Sequence, residues 1–196
     1  MLPTGTGKTV VFSKVVEEVR KGEKALILAH RGELLDQASD KLYQTTGLTT
    51  SLEKAESTSI GSCERVTVAS VQTLSQEARL KKFKKDDFGV IVVDEAHHAM
   101  SETYQRVLKY FDSAKVLGVT ATPDRADQKN LGQFFDSKAY EYTLHQAVKE
   151  GYLCPVKAQM IPLELDIRNV GLSNGDYAVG EIGSSLEPYL NQIALE

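Results

Sequence analysis

The residues Val90-Ile91-Val92-Val93 make an uninterrupted apolar run that stops abruptly at Asp94-Glu95. A strand with one wet face alternates apolar and polar side chains. A run without alternation therefore belongs to a strand covered on both faces, as in a parallel sheet between two helical layers. Lys24–Ala29, Val66–Ser70 and Lys115–Val119 read as further short strands. Segments with helical spacing lie between them. Lys8 to about Lys21 sets Val11, Val15 and Val19 beside Phe12 and Val16, and Glu33 to Tyr43 turns Leu34, Leu35, Ala38 and Leu42 inward, with Gly47 just past its end. A helix through Leu74 and another over Ser101–Tyr110 complete the alternation. Repeated βα units predict an α/β fold, a doubly wound and mainly parallel sheet flanked by helices with right-handed crossovers. In such sheets ligands bind beyond the carboxyl ends of the strands.

Composition narrows the class further. The 196 residues suffice for one domain with a continuous core, and 41% hydrophobic with 26% charged residues excludes a disordered or fibrous chain. No apolar run approaches the roughly 20 residues needed to cross a bilayer, and no signal peptide is visible, so no membrane partner and a cytoplasmic location are expected. Cys63 and Cys154 stand far apart, without disulfide or metal spacing. A net charge of −4 gives no broad basic face. A nucleic-acid partner would then be gripped by backbone N–H groups and a few side chains. The basic cluster Arg79–Lys85 runs straight into Asp86-Asp87 and reads as a solvated helix end or loop. Beyond Gly151 the texture changes. Val156–Ile161 suits one more strand, the Gly-, Ser- and Asn-rich stretch from Arg168 to Gly183 a linker, and Ser185–Glu196 a short helix. The expected division is a domain over residues 1–160 and a linker over residues 161–196.

Pro3-Thr4-Gly5-Thr6-Gly7-Lys8-Thr9 opens the first helix. Glycines let the backbone curl so that successive N–H groups point inward around phosphate oxygens, and the helix N-terminus behind them adds about half a positive charge. Thr4, Gly5, Thr6, Gly7, Lys8 and Thr9 form the candidate phosphate cradle, with Lys8 reaching the β- and γ-phosphates and Thr9 offering its hydroxyl to Mg²⁺. The first glycine of the usual pattern is replaced by Leu2. Asp94 and Glu95, adjacent at a strand end, can serve different partners: Asp94 the Mg²⁺, and Glu95 the proton of a water attacking the γ-phosphate. Lys8, Asp94 and Glu95 are the catalytic candidates, Thr9 and Asp94 the metal candidates, and ATP and Mg²⁺ the expected cofactors.

Pro3–Thr9, Asp94-Glu95-Ala96-His97 and Thr120-Ala121-Thr122 resemble, in order, motifs I, II and III of superfamily 2 DEAD/DEAH-type helicases. Ala29–Gln37 looks like motif Ia, Val68–Leu74 like the next nucleic-acid-contacting segment, and Leu144–Leu153 like the end of the first motor domain. The resemblance covers residues 2 to about 160 and implies a RecA-like P-loop NTPase domain. The sequences Ala29-His30-Arg31-Gly32-Glu33-Leu34 and Thr120-Ala121-Thr122 lean towards the DNA-acting branch with type I restriction motor subunits and repair-type helicases. The resemblance implies that Thr120 or Thr122 hydrogen-bonds near His97 and couples nucleotide state to nucleic-acid grip. Arg31, Gln37, Ser70, Gln72 and Thr73 are the candidate nucleic-acid contacts, while His98 reads as a surface or packing histidine. It also implies a central strand leading into Pro3 and a second RecA-like domain beyond Ile161. Without that strand the sheet is expected to show a gap or to recruit another segment. Alone, the fragment is expected to be nearly inactive. The function implied is the ATP-binding motor domain of a DNA helicase or translocase. The motor portion of a restriction endonuclease, an RNA helicase, or a nucleotide- or nucleic-acid-binding module remain as alternatives.

Overall fold

Alternate side chains of one five-residue strand, Ala25–Ala29, enter two different cores, and the whole sheet is built on that division. The computed structural model describes residues 1–20, 22–30, 32–121, 131–132, 134–155, 157, 172–173 and 176–177. Strands β1 (Ala25–Ala29), β2 (Thr50–Glu53), β3 (Val66–Ser70), β4 (Val90–Asp94) and β5 (Lys115–Val119) form one sheet in the order β2-β3-β1-β4-β5. Every neighbouring pair in it is parallel. The helices are α1 (Lys8–Glu17), α2 (Gly32–Thr46), α3 (Val71–Leu74), α4 (Glu77–Leu80), α5 (Glu102–Tyr110) and α6 (Leu144–Lys149), with a 3₁₀ turn over Ala96–Met100.

On one face Ala25, Ile27 and Ala29 meet Phe12 and Val16 of α1 and Leu35, Ala38 and Leu42 of α2. On the other, Leu26 and Leu28 meet Leu74, Tyr104, Val107 and Phe111. Both faces of β4 are likewise covered, as its continuous apolar run predicts. Gly118 lets β5 lie close beneath the 3₁₀ turn, since a Cβ there would come 2.9 Å from the Ala96 Cβ.

The elements depart from expectation in three places. Helix α1 ends at Glu17, short of Lys21, because the Arg65 guanidinium enters at its end and donates to the carbonyls of Val16, Glu17 and Val19. Strand β2 escaped the sequence pattern. It lies at the sheet edge and has only Leu52 as an apolar residue, while Glu53 is completely buried. That carboxylate accepts from the Ser59 N–H, the hydroxyls of Thr58 and Ser59, and the Arg79 guanidinium. Arg79 also donates to the carbonyls of Ala55 and Ser57, so the basic cluster begins with an anchored residue and not with a solvated one.

Strand β5 has no further strand paired on its outer side among the described residues. Along it runs a cavity of about 710 Å³ lined by Val116–Thr120, Phe135 and the valines Val11 and Val15 of α1. These two valines are 45% and 42% exposed, which explains why half of the apolar face of α1 is not covered. Met1 and Leu2 reach one end of this groove: Leu2 N–H donates to the Thr120 carbonyl (2.9 Å), and Tyr142 N–H donates to the Met1 carbonyl (3.0 Å). Helix α6 starts at a capping box between Thr143 and Gln146.

Residues Met1–Cys154 form one compact unit and Pro155–Glu196 a second. In the second, Leu172–Ser173 (β6) and Asp176–Tyr177 (β7) pair antiparallel. The strand expected over Val156–Ile161 and the helix expected over Ser185–Glu196 lie outside the described residues. No helix among the described residues is long and apolar enough to cross a membrane.

Candidate nucleotide-binding site

The loop before α1 is shaped by two left-handed glycines, Gly5 (φ +86°) and Gly7 (φ +84°). Such values strain any residue with a Cβ. Thr6 closes the loop on itself, its N–H and hydroxyl both donating to the Pro3 carbonyl at 3.3 and 2.6 Å. Gly7 is the N-cap of α1 and carries no side chain to cap it. The donors of the first helical turn therefore face the loop mouth, an arrangement suited to an anion. Thr4 is exposed and Lys8 and Thr9 are half-buried at this mouth.

Asp94 ends β4, and the chain turns sharply after it because Glu95 adopts the left-handed conformation (φ 51°, ψ 56°). The Glu95 N–H donates to Asp94 Oδ1 at 3.0 Å. A non-glycine residue in that region costs about 1 kcal/mol or more, and such strain clusters at functional sites. Burial raises the Asp94 carboxyl above its ordinary value, the negative charge of Glu95 adds to the rise, and the backbone hydrogen bond and the Lys8 charge oppose it. Lys8 and Asp94 thus feel each other. A cavity of about 240 Å³ is lined jointly by Gly7, Thr9 and Asp94, together with Gln37, Ala38 and Lys41. The loop and the first acidic residue open onto one space.

The donor set suits magnesium: one hydroxyl and one carboxylate border the cavity, and Mg²⁺ characteristically takes few protein ligands and completes its shell with water and phosphate oxygens. No cluster of three or more His, Cys, Asp or Glu able to enclose an ion occurs among the described residues. Lys41 was missed from the sequence, because a lysine within a helix carries no motif. Tyr104 of α5 was missed too. Its buried hydroxyl is pushed up by burial and by the negative charges of Asp94 and Glu95, so it stays neutral beside the acidic pair.

His97 Nδ1 lies 3.1 Å from Thr120 Oγ1 and 3.5 Å from Glu95 Oε2. The ends of β4 and β5 are joined by this contact, while Thr122 lies outside the described residues. Among the candidate nucleic-acid contacts, Arg31 also lies outside them. Gln37 borders the nucleotide-side cavity. Ser70 is buried and donates to Gln72 Oε1, and Thr73 is buried with its hydroxyl accepting the Ala55 N–H. Both hydroxyls are engaged within the protein, which leaves Gln72 as the exposed side chain of that segment.

Residues 1–125 match the family described as type III restriction enzyme, res subunit. A Saccharomyces cerevisiae protein bearing the name of an ATP-dependent helicase, IRC3, is 30% identical over 211 residues, covering all of this chain and 30% of that protein. The type I restriction enzyme EcoAI endonuclease subunit of Escherichia coli is 29% identical over 178 residues, covering 86% of this chain and 22% of that protein. The chain thus spans less than a third of these two curated relatives. Among solved structures, the Pyrococcus furiosus Hef helicase domain superposes with a TM-score of 0.58 at 26% identity, over 67% of this chain and 31% of that one. The L327V variant of Saccharomyces cerevisiae Dbp5 bound to RNA and ADP BeF3 shares the fold, with a TM-score of 0.62 at 20% identity over 74% of this chain and 41% of that one. A parallel sheet with the phosphate loop and Asp94 on one cavity, and a family match over most of the compact unit, lead to one assignment: the chain belongs to the type III restriction enzyme res-subunit family and forms a first RecA-like domain of the superfamily 2 helicase type.

Proposed function

We propose that this domain binds ATP with Mg²⁺ and hydrolyses it as the first half of a DNA helicase or translocase motor. The observation that carries the reading is the single cavity bordered by Gly7, Thr9 and Asp94. The N–H groups of the loop and of the first turn of α1 hold the phosphates, and Lys8 neutralises charge at the β- and γ-positions. Thr9 Oγ1 and Asp94 would hold the magnesium, which would supply further neutralisation of the phosphate charge when bound. Glu95 orients the attacking water and accepts its proton. His97, between Glu95 and Thr120, links that event to the neighbouring strand end.

The partner is nucleic acid, with DNA favoured over RNA, and a second RecA-like domain of the same protein completes the cleft. A second reading, the motor portion of a restriction endonuclease, is supported by the family match and by the likeness to the EcoAI subunit. A nuclease-type carboxylate and lysine cluster elsewhere in the full-length protein would select it.

The test is the DNA-stimulated ATPase of the full-length protein. Lys8→Ala and Glu95→Gln are expected to abolish turnover, with Glu95→Gln still binding nucleotide. Full turnover in both variants would overturn the site assignment. The 196-residue chain by itself is expected to bind nucleotide weakly, to turn it over very slowly and to separate no strands. An arginine finger from a second domain is worth about 10³–10⁵ in rate in related phosphoryl-transfer enzymes. Strand separation by the chain alone would contradict this.

A further inference from the structure

Along the carboxyl rim of the sheet the ends of β3, β1, β4 and β5 follow one another, and a side chain near each end touches one from the next. Gln72, two residues past β3, places Nε2 3.1 Å from Nδ1 of His30, which directly follows β1. The His30 ring stacks on His98, with centroids 5.0 Å apart and planes inclined by 29°. His98 lies in the 3₁₀ turn beyond β4, its centroid 4.1 Å from that of His97. His97 in turn contacts Thr120, which directly follows β5, and lies 3.5 Å from Glu95 Oε2. Ring contacts and hydrogen bonds thus run without a break from the acidic pair to Gln72.

We propose that His30 and His98 are positioning residues that carry the state of the nucleotide site across the rim to Gln72, and so set the posture of the segment that the resemblance assigns to nucleic-acid contact. The inference rests on the nucleotide site assigned above. Sheet hydrogen bonds fix the strands but not the loops beyond their ends. Side chains must tie those loops to one another. His30 and His98 are both exposed, so their stacking adds little to global stability, and its consequence lies in what it joins. The 3₁₀ turn that carries His97 and His98 begins at the strained residue Glu95. A change at Glu95 or His97 on phosphate binding therefore displaces His98. Its stacked partner His30 follows, and with it the Gln72 amide. Gln72 has little freedom to ignore the change, because Ser70 Oγ holds its Oε1 at 2.8 Å and leaves Nε2 turned to His30.

The chain holds four histidines, so their ring Cε1–H resonances can be assigned by single substitutions. Titration with MgADP and with Mg-AMP-PNP is expected to shift His97, His98 and His30 along one saturation curve. In His98→Ala the His97 shift should persist and the His30 shift should fall at least threefold, whereas His98→Phe, which keeps a flat ring, should restore it. In the full-length protein, stimulation of ATPase by DNA should fall severalfold in His98→Ala and in His30→Ala with basal turnover unchanged, and recover in His98→Phe. A His30 resonance that stays fixed while His97 responds would overturn the proposal. So would a His30 response of full size in His98→Ala, or unchanged DNA stimulation in both alanine variants. Absence of any nucleotide binding by calorimetry would overturn the site assignment itself, and this proposal with it.

Discussion

Burial raises the Asp94 carboxyl above its ordinary value of 3.8, and the direction of that shift ties the residue to stability. The unfolded chain loses this proton at lower pH than the folded one, so the folded state binds more protons between the two pKa values. Stability contributed at this site therefore falls as pH rises through that window and stays low above it. Asp94→Asn is expected to raise the thermal midpoint of the nucleotide-free chain at pH 7 and to flatten its dependence on acidic pH, while removing the Mg²⁺ requirement of nucleotide binding. A lowered midpoint in thermal melts would show that the carboxylate stabilises the fold. The loop glycines make a graded pair. A Cβ on Gly7 would meet its nearest neighbour at 4.0 Å, so Gly7→Ala bears only the left-handed backbone cost of about 1–2 kcal/mol. Gly5→Ala adds a contact of 3.1 Å with Leu153 and is expected to be the more destabilising in urea denaturation. These local residues were legible in the sequence, because a phosphate loop and a strand-end acid are written in consecutive positions. The engagements of Thr73 with Ala55 and of Arg79 with Glu53 were not. Each joins residues at least 18 apart through a loop that has no periodicity.

At the scale of elements, apolar runs identified β1, β3 and β4, which are covered on both faces, and β5, which is covered only in part. They passed over β2, whose position at the sheet edge tolerates Thr50 and Ser51. The end of α1 was misplaced for a different reason. Apolar spacing continues to Val19, but the termination comes from Arg65, 46 residues further along the chain, whose guanidinium meets three carbonyls at the helix end. A cation at a helix C-terminus and charged hydrogen bonds to its last carbonyls both favour the end that forms there. Arg65→Ala is expected to cost about 1–2 kcal/mol. Faster amide exchange should then appear in the last turn of α1 before it appears in β1. Exchange unchanged across α1 would place the importance of Arg65 elsewhere.

For the molecule as a whole, one edge and one rim stand out. The edge is β5, where Val11 and Val15 of α1 stand 45% and 42% exposed beside an apolar groove of about 710 Å³. A patch of this kind is expected to bind an apolar dye such as ANS in the folded state. Val15→Glu should reduce that binding without lowering the thermal midpoint, and a large loss of stability would show that the valine is covered in solution. The proposed nucleotide site lies on the carboxyl rim, where Gly7, Thr9 and Asp94 border one cavity although Thr9 and Asp94 are far apart along the chain. Their convergence was legible only through the order of the motifs, since a sequence records spacing along the chain and not which strand ends become neighbours. It is also the point on which the mechanism depends. Mn²⁺ with ADP, added to the isotope-labelled chain, should broaden the amide resonances of Gly7, Lys8 and Thr9 together with those of Asp94 and Glu95, and Lys8→Ala should weaken both sets at once. Broadening confined to the loop, with the Asp94 and Glu95 amides unaffected at saturating nucleotide, would contradict the account.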